Sequence, residues 1–278
     1  MAINLAKETE ERVAKIGICL KKQHVDQIEV MVAVAADISG SMSDLYRNGT
    51  VQQTLERLYA LAVKFDDNGE FESWVFSGNS NRLESASSEN IDCYVKNFIM
   101  NANLRGAWGG TNYAPCLTDI LDFYNPKPSI KITKDLDLSD ESNGIIGGIK
   151  SLFGFGKKKS EVEVVVHSAP DTSDISSPDS AVYVLFITDG ENNDEDATNK
   201  IIKQIQSSQV FVQFIGIGTD AGFNYLRDLA KSNSHIDFLA IPDLTKVSDE
   251  KLYGDLLNTK FLTFLRKDYP SCIKNEDD

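Results

Sequence analysis

The stretch from Glu29 to Ser41, EVMVAVAADISGS, constrains the rest of the chain more than any other. Val30 to Ala36 is an unbroken run of small apolar residues rich in Val. Such a run reads as a strand buried on both faces, as in a parallel sheet with helices on either side. It stops at Asp37, and Ile38, Ser39, Gly40, Ser41 and Met42 follow. One carboxylate and two hydroxyls therefore leave the carboxyl end of a central strand on a short, Gly-containing turn. In open α/β sheets, ligands bind at that edge. Asp37, Ser39 and Ser41 are accordingly expected to begin a divalent-metal site.

The remaining pattern alternates strands and helices. Asn4 to Lys22 reads as a covering helix, with Val13, Ile16 and Leu20 at helical spacing. Thr50 is a plausible N-cap for a helix carrying Val51, Leu55, Leu58, Ala62 and Phe65 on one side. Phe71 to Phe76 reads as a strand, the run to Ser88 as a loop, and Ile91 to Met100 and Ala114 to Tyr124 as helices. Ala181 to Thr188 and Val210 to Ile217 read as buried strands, and Ile236 to Ala240 as a short one. Ala197 to Ser207, Phe223 to Ala230 and one long closing stretch, Asp249 to Arg266, read as helices. This order predicts an α/β fold: a doubly wound, mostly parallel sheet flanked by helices. The expectation is a single domain over 1–278, with an N-terminal helical segment at 1–28 and a long, flexible insert at 126–180.

Charge and cysteine usage narrow the function classes. The formal net charge of −14 disfavours nucleic-acid binding, because a phosphate backbone would be repelled. The same charge concentrates cations near any carboxylate-lined cleft. Cys19, Cys93, Cys116 and Cys272 form no CxxC pair, which gives no zinc knot and suits a reducing cytoplasm. The start, MAINLAKETEERVAK, has no apolar core and is not expected to be a signal peptide. His24, His167 and His235 are isolated and read as surface or loop residues, so no catalytic set is built from them.

Three loops are expected to leave the carboxyl edge with hard oxygen ligands: Asp37-x-Ser39-x-Ser41, Gly110-Thr111-Asn112 and Thr188-Asp189-Gly190. Carboxylate, hydroxyl and water oxygens suit Mg²⁺ above all, with Ca²⁺ or Mn²⁺ as alternatives. A cation held mainly by neutral hydroxyls keeps surplus positive charge. It can then take an outside carboxylate as its last ligand.

DISGSM, GGTN and FITDG, in this order, resemble the metal-ion-dependent adhesion site of a von Willebrand factor type A domain. The resemblance implies that Asp37, Ser39, Ser41, Thr111 and Asp189 hold the ion, with the two serines and Thr111 binding directly and the aspartates often through water. LYRNGTVQQTLERLYALAVKFDDNGEFESWVF, GGTNYAPCLTDIL and VLFITDGENND followed by FVQFIGIG are similar to bacterial tellurium-resistance-associated A domains, the TerF-like and TerY-like group. That likeness covers the chain outside 126–180. It implies a cytoplasmic, stress-associated interaction protein from a bacterium or phage. The hydroxyl-rich metal shell, with no His, Lys or Cys base nearby, points to a noncatalytic module whose metal captures an Asp or Glu of a partner protein. Tellurite is not implied as a ligand.

Other readings compete at several positions. A metal-dependent phosphohydrolase or phosphotransferase is the functional alternative, although no P-loop, GxSxG elbow or DxDxT-like motif is present. Gly216-Ile217-Gly218 begins like a dinucleotide fingerprint, but reads better as a strand-to-helix turn. Asp189, Glu191, Asp194, Glu195 and Asp196 read as a solvated loop and helix start, with a second cation site as the sharper alternative. Residues 144–159, GIIGGIKSLFGFGKKK, read as a Gly-interrupted loop rather than an amphipathic segment that docks on a membrane surface or a partner.

Overall fold

The computed structural model describes residues 2–126, 180–190, 192–218 and 222–275. Nearly all of the insert expected at 126–180, the 144–159 stretch and His167 lie outside these residues.

The main sheet has six strands in the order β4-β3-β2-β5-β6-β7. These are β2 (Met31–Asp37), β3 (Glu72–Phe76), β4 (Ser80–Arg82), β5 (Val182–Thr188), β6 (Val210–Ile217) and β7 (Ile236–Ile241). Only β4 runs antiparallel, against β3; every other pairing is parallel. Strand order therefore runs outward in opposite directions from the β2–β5 pair. The crevice outside the carboxyl ends of that pair is the topological switch point, where doubly wound sheets place ligands. A separate antiparallel pair joins β1 (Gln27–Ile28) to β8 (Ile273–Lys274).

Alternate residues of the central strands feed two cores. Val32, Val34, Ala36, Leu185 and Ile187 pack with Ile16, Leu20, Leu58, Phe65, Phe261 and Leu265 from helices Ala2–Lys22, Thr50–Phe65 and Thr259–Asp268. Ala33, Ala35, Val184, Phe186 and Phe214 pack with Leu117, Ile202 and Leu226 from helices Ala114–Tyr124, Glu195–Ile205 and Asn224–Ser232. Continuous apolar strands are what burial on both faces requires. Ala35 lies in register between Trp74 and Phe186. The small side chain leaves room for Phe76 and Phe186 to stack at 4.4 Å, and the Tyr113 ring stands edge-on to both.

Several expectations need correction. The closing stretch is two helices, Asp249–Leu256 and Thr259–Asp268, because Asn258 leaves helical geometry and caps the second with its side chain. Ile91–Met100 is a 3₁₀ turn, Ile91–Cys93, followed by a π-helical turn, Val95–Met100. The Gln52 amide binds both, accepting from Val95 N and donating to the Ile91 carbonyl. The cap of Thr50–Phe65 is Gly49, at φ 83°, and Thr50 lies inside the helix, where its N–H and hydroxyl both donate to Asn48 Oδ1. The run after Phe76 contains β4, and Phe71 lies just outside β3, bridged to Ala86. A short helix, Ser43–Arg47, was not expected. His235 is buried rather than superficial, its Nδ1 3.0 Å from the Ile205 carbonyl oxygen and its ring edge-on to Phe264.

Gly216 has a packing cause. A Cβ there would lie 2.7 Å from the Phe223 ring and 2.9 Å from Phe238. Its glycine lets two aromatic rings close over the end of β6; Gly216 and Ile217 still pair within the strand, so of the expected Gly216-Ile217-Gly218 turn only Gly218 lies past it.

Candidate metal centre

Asp37 is the last residue of β2 and is fully buried. Its Oδ1 accepts from the Ser39 backbone N–H at 2.7 Å, and its Oδ2 accepts from Thr188 Oγ1 at 2.8 Å. Burial pushes its carboxyl up to about 6; the bonds from Ser39 and Thr188 oppose this, and the nearby Asp189 adds to it. A carboxylate placed so far from water needs a compensating positive charge.

The turn after Asp37 carries the two serines. Ser39 Oγ and Ser41 Oγ are 3.1 Å apart, and Ser41 Oγ donates to Asp189 Oδ1 at 3.0 Å. Ser39 is buried and Ser41 exposed, so the hydroxyl pair runs from the protein interior to solvent. Asp189 follows β5, and burial raises its carboxyl too, against the hydrogen bond from Ser41.

The loop holding Thr111 is tied to both neighbours through its main chain. Gly40 N–H donates to the Gly109 carbonyl at 3.0 Å, and Trp108 N–H donates to Ile38 O at 2.8 Å. Asn193 N–H donates to the Thr111 carbonyl, and Asn112 N–H to Ser77 O, each at 2.8 Å. Gly40 eases this approach, since a Cβ there would meet Trp108 O at a tight 3.3 Å. Thr111 is buried between the two outer loops. The structure thus links Ser39, Ser41 and Asp189 through side chains and joins Asp37 to the Ser39 N–H, while the loop of Thr111 is tied to the DISGSM turn by the Gly40–Gly109 bond and to Asn193 by the Thr111 carbonyl.

Three residues inside the motifs take supporting roles that the motifs did not assign. Thr188 bonds Asp37, and its hydroxyl lies 3.1 Å from that of Tyr113, which in turn donates to the Gly190 carbonyl at 2.8 Å. Asp194 accepts from the N–H groups of Tyr113 at 3.0 Å and Ala114 at 3.1 Å, and from Thr198 Oγ1 at 2.9 Å. It therefore closes the amino end of helix Ala114–Tyr124 while standing at the start of Glu195–Ile205. Part of the acidic run is consequently a brace, and Glu195 and Asp196 are exposed in the first turn of their helix. Glu191 lies outside the described residues. A carboxylate just before a helix was the one sequence signal for Asp194; its second helix lies about 80 residues away in the chain.

The donor set is entirely oxygen, which suits a hard cation. Among the described residues no group of three or more His, Cys, Asp or Glu side chains is placed to hold a metal. A buried carboxylate, a second carboxylate and two adjoining hydroxyls fit a divalent cation on chemical grounds. Thr188→Val should test the supporting bond. We expect a folded protein whose Mn²⁺ affinity is lower by about tenfold, as for other partners that orient a ligand. Calorimetric titration checks this, and an unchanged affinity would show that Thr188 does not orient Asp37.

A three-layer, doubly wound sheet with DxSxS, Thr and Asp loops at its switch point defines a von Willebrand factor type A domain. The sequence matches the vWA-TerF-like family, the vWA found in the TerF C terminus, over residues 29–133 and 129–273, and the chain belongs to that family. It is 27% identical over 246 residues to the uncharacterised protein YcbR of Bacillus subtilis (strain 168), covering 87% of this chain and 80% of YcbR. Among solved structures it is similar to proximal thread matrix protein 1 from the mussel byssus, at 17% identity and a TM-score of 0.48, over 83% of this chain and 48% of that one. It is also similar to the ArnB paralog VWA2 from Sulfolobus acidocaldarius, at 15% identity and a TM-score of 0.42, over 82% and 44%. The chain thus spans just under half the length of these two solved chains. One structure of the mussel protein has a zinc-occupied MIDAS motif.

Proposed function

We propose that this protein is a divalent-metal-dependent interaction module. Asp37, Ser39, Ser41, Thr111 and Asp189 would hold the ion, and an Asp or Glu of a partner protein would complete its coordination. The observation that carries this reading is the hydroxyl pair Ser39–Ser41, bonded to Asp189 and seated on the buried carboxylate of Asp37. Hydroxyls neutralise little of a cation's charge, so a bound ion would still attract an anion. Mg²⁺ is the expected occupant, because it keeps exchangeable water positions that a partner's carboxylate can take.

The residues around the site favour capture over turnover. Asp37 and Asp189 are bonded to hydroxyl groups, and burial raises the Tyr113 hydroxyl far above its usual range, so it remains a donor. We infer no enzymatic role. Membership of the TerF-like family supports a bacterial stress response of the tellurium-resistance type as the setting. The lack of any CxxC pair among the four cysteines suits the cytoplasm. Among the described residues no helix is long and apolar enough to cross a membrane.

The test is capture from host lysate, with Mg²⁺ and with chelator, using wild type and Asp37→Ala. We expect prey retained by wild type in Mg²⁺ alone. Prey indifferent to both chelator and substitution would count against the reading. Generic phosphoester turnover that Asp37→Ala abolishes would favour the phosphohydrolase instead.

A further inference from the structure

Asn193 adjoins the loops of two proposed ligands without being a ligand itself. Its N–H donates to the Thr111 carbonyl at 2.8 Å, and it follows Asp189 on the same loop. Its side chain is exposed. The amide nitrogen lies against Gly110, where an added Cβ would stand only 3.1 Å from Asn193 Nδ2. Gly110 does not hold a left-handed φ, so its backbone conformation does not call for glycine. Room for the Asn193 amide is what the missing side chain provides.

The neighbours of Asn193 have partners. Asn192 donates to Thr198 Oγ1 at 3.0 Å and accepts from the Asp194 N–H at 3.1 Å. Asp194 binds the Tyr113 and Ala114 N–H groups. Among the described residues, the Asn193 side-chain amide makes no hydrogen bond. Other donors near the metal loops are engaged: Ser41 Oγ on Asp189, Gly40 N–H on Gly109 O and Trp108 N–H on Ile38 O.

A carboxylate that gives one oxygen to a cation keeps a second oxygen that still accepts hydrogen bonds. We propose that the Asn193 amide donates to that second oxygen of the partner's Asp or Glu, and so selects a carboxylate over an anion with one binding atom. This inference rests on the reading that the metal takes an acidic residue of a partner. The surrounding charges explain why the donor is neutral. Asp189 lies before Asn193, and Glu195 and Asp196 are exposed after it. A further carboxylate at 193 would repel the incoming acid and donate nothing, and a lysine would set a cation against the metal. An amide donates without charge.

The experiment loads the full chain with Mn²⁺ and titrates it with acetate and, separately, with fluoride. Water-proton relaxation follows the displacement of manganese-bound water. Acetate carries a second oxygen and fluoride does not. We expect both to displace water from wild type. Asn193→Ala should need about tenfold more acetate, the effect of one hydrogen bond to a charged group. Its fluoride midpoint and its calorimetric Mn²⁺ affinity should stay unchanged. An unchanged acetate midpoint would overturn the role of Asn193 and leave the metal reading standing. Equal losses for acetate and fluoride would overturn it too, by showing a disturbed metal rather than a missing donor. Wild type that binds no Mn²⁺, or whose bound Mn²⁺ loses no water to acetate, would overturn both readings.

Discussion

Asp37→Asn should lower the affinity for Mg²⁺ and Mn²⁺ by at least about 100-fold without unfolding the protein. The amide nearly matches the carboxylate in shape, so it can still accept from the Ser39 N–H and contact Thr188 Oγ1. What it loses is the negative charge at the base of the hydroxyl pair. Two carboxylates reach this part of the site, and Asp37 is the fully buried one. Burial weakens solvent screening, so its attraction for a cation exceeds that of an exposed acid. Without metal, the same burial makes the carboxylate a cost to the fold. The substituted protein in chelator should therefore melt no lower than wild type, while the upward shift expected of wild type with excess metal should be absent. Calorimetric titration and thermal unfolding with and without metal measure the two effects. Unchanged affinity would remove Asp37 from the centre.

Arg57→Met should cost about 3–5 kcal/mol of stability, the range for removing one partner of a buried ionic cluster. Arg57 is 8% exposed within helix Thr50–Phe65. Its Nη1 and Nη2 donate to the carbonyls of Leu244 at 3.0 Å and Val247 at 2.8 Å, and its Nε lies 2.9 Å from Asp249 Oδ1. Asp249 also pairs with Lys15 at 3.0 Å, on the N-terminal helix. One guanidinium thus holds the turn after β7 and the start of helix Asp249–Leu256 against the first core. Met fills similar volume but leaves two carbonyls without their donor and reduces the pairing of Asp249. At roughly 2–4 °C per kcal/mol for a chain of this size, the unfolding midpoint should fall by about 6–20 °C. A loss below about 1 kcal/mol in denaturant titration would show that water replaces the guanidinium.

Much of the layer structure could be read from residue patterns, because double burial forces apolar runs. Val30–Ala36 and Ala181–Thr188 carry no competing signal, and β6 begins and ends where the Val210–Ile217 run does, although Gly216 also suggested a turn. Helix Ala114–Tyr124 was equally legible from its spacing. The misses have local causes. Asn258 interrupts an apolar periodicity that continues on both sides, so two helices read as one. The π-helical turn keeps apolar spacing close enough to an α-helix to pass for one, while Gln52 pins its backbone from a distant helix. β4 has a polar sequence because it is a three-residue edge strand. At the site, the motifs marked the loops but not what holds them. Thr188, Tyr113 and Asp194 act through bonds between segments about 75 to 151 residues apart, and no local pattern encodes those.

The pairing of β2 with β5 fixes when the pocket can exist. Asp37 and Thr188 meet across 151 positions of chain, and that span includes the whole of 126–180. Closing so long a loop costs entropy that grows only with the logarithm of its length, about 0.6 kcal/mol for each doubling. The fold should therefore accept relatives with much longer or shorter inserts at this point. The same long closure would make any cation held there a latecomer. The proposed ligands are scattered until the two central strands have found each other, so such an ion would not seed assembly but register that assembly is complete.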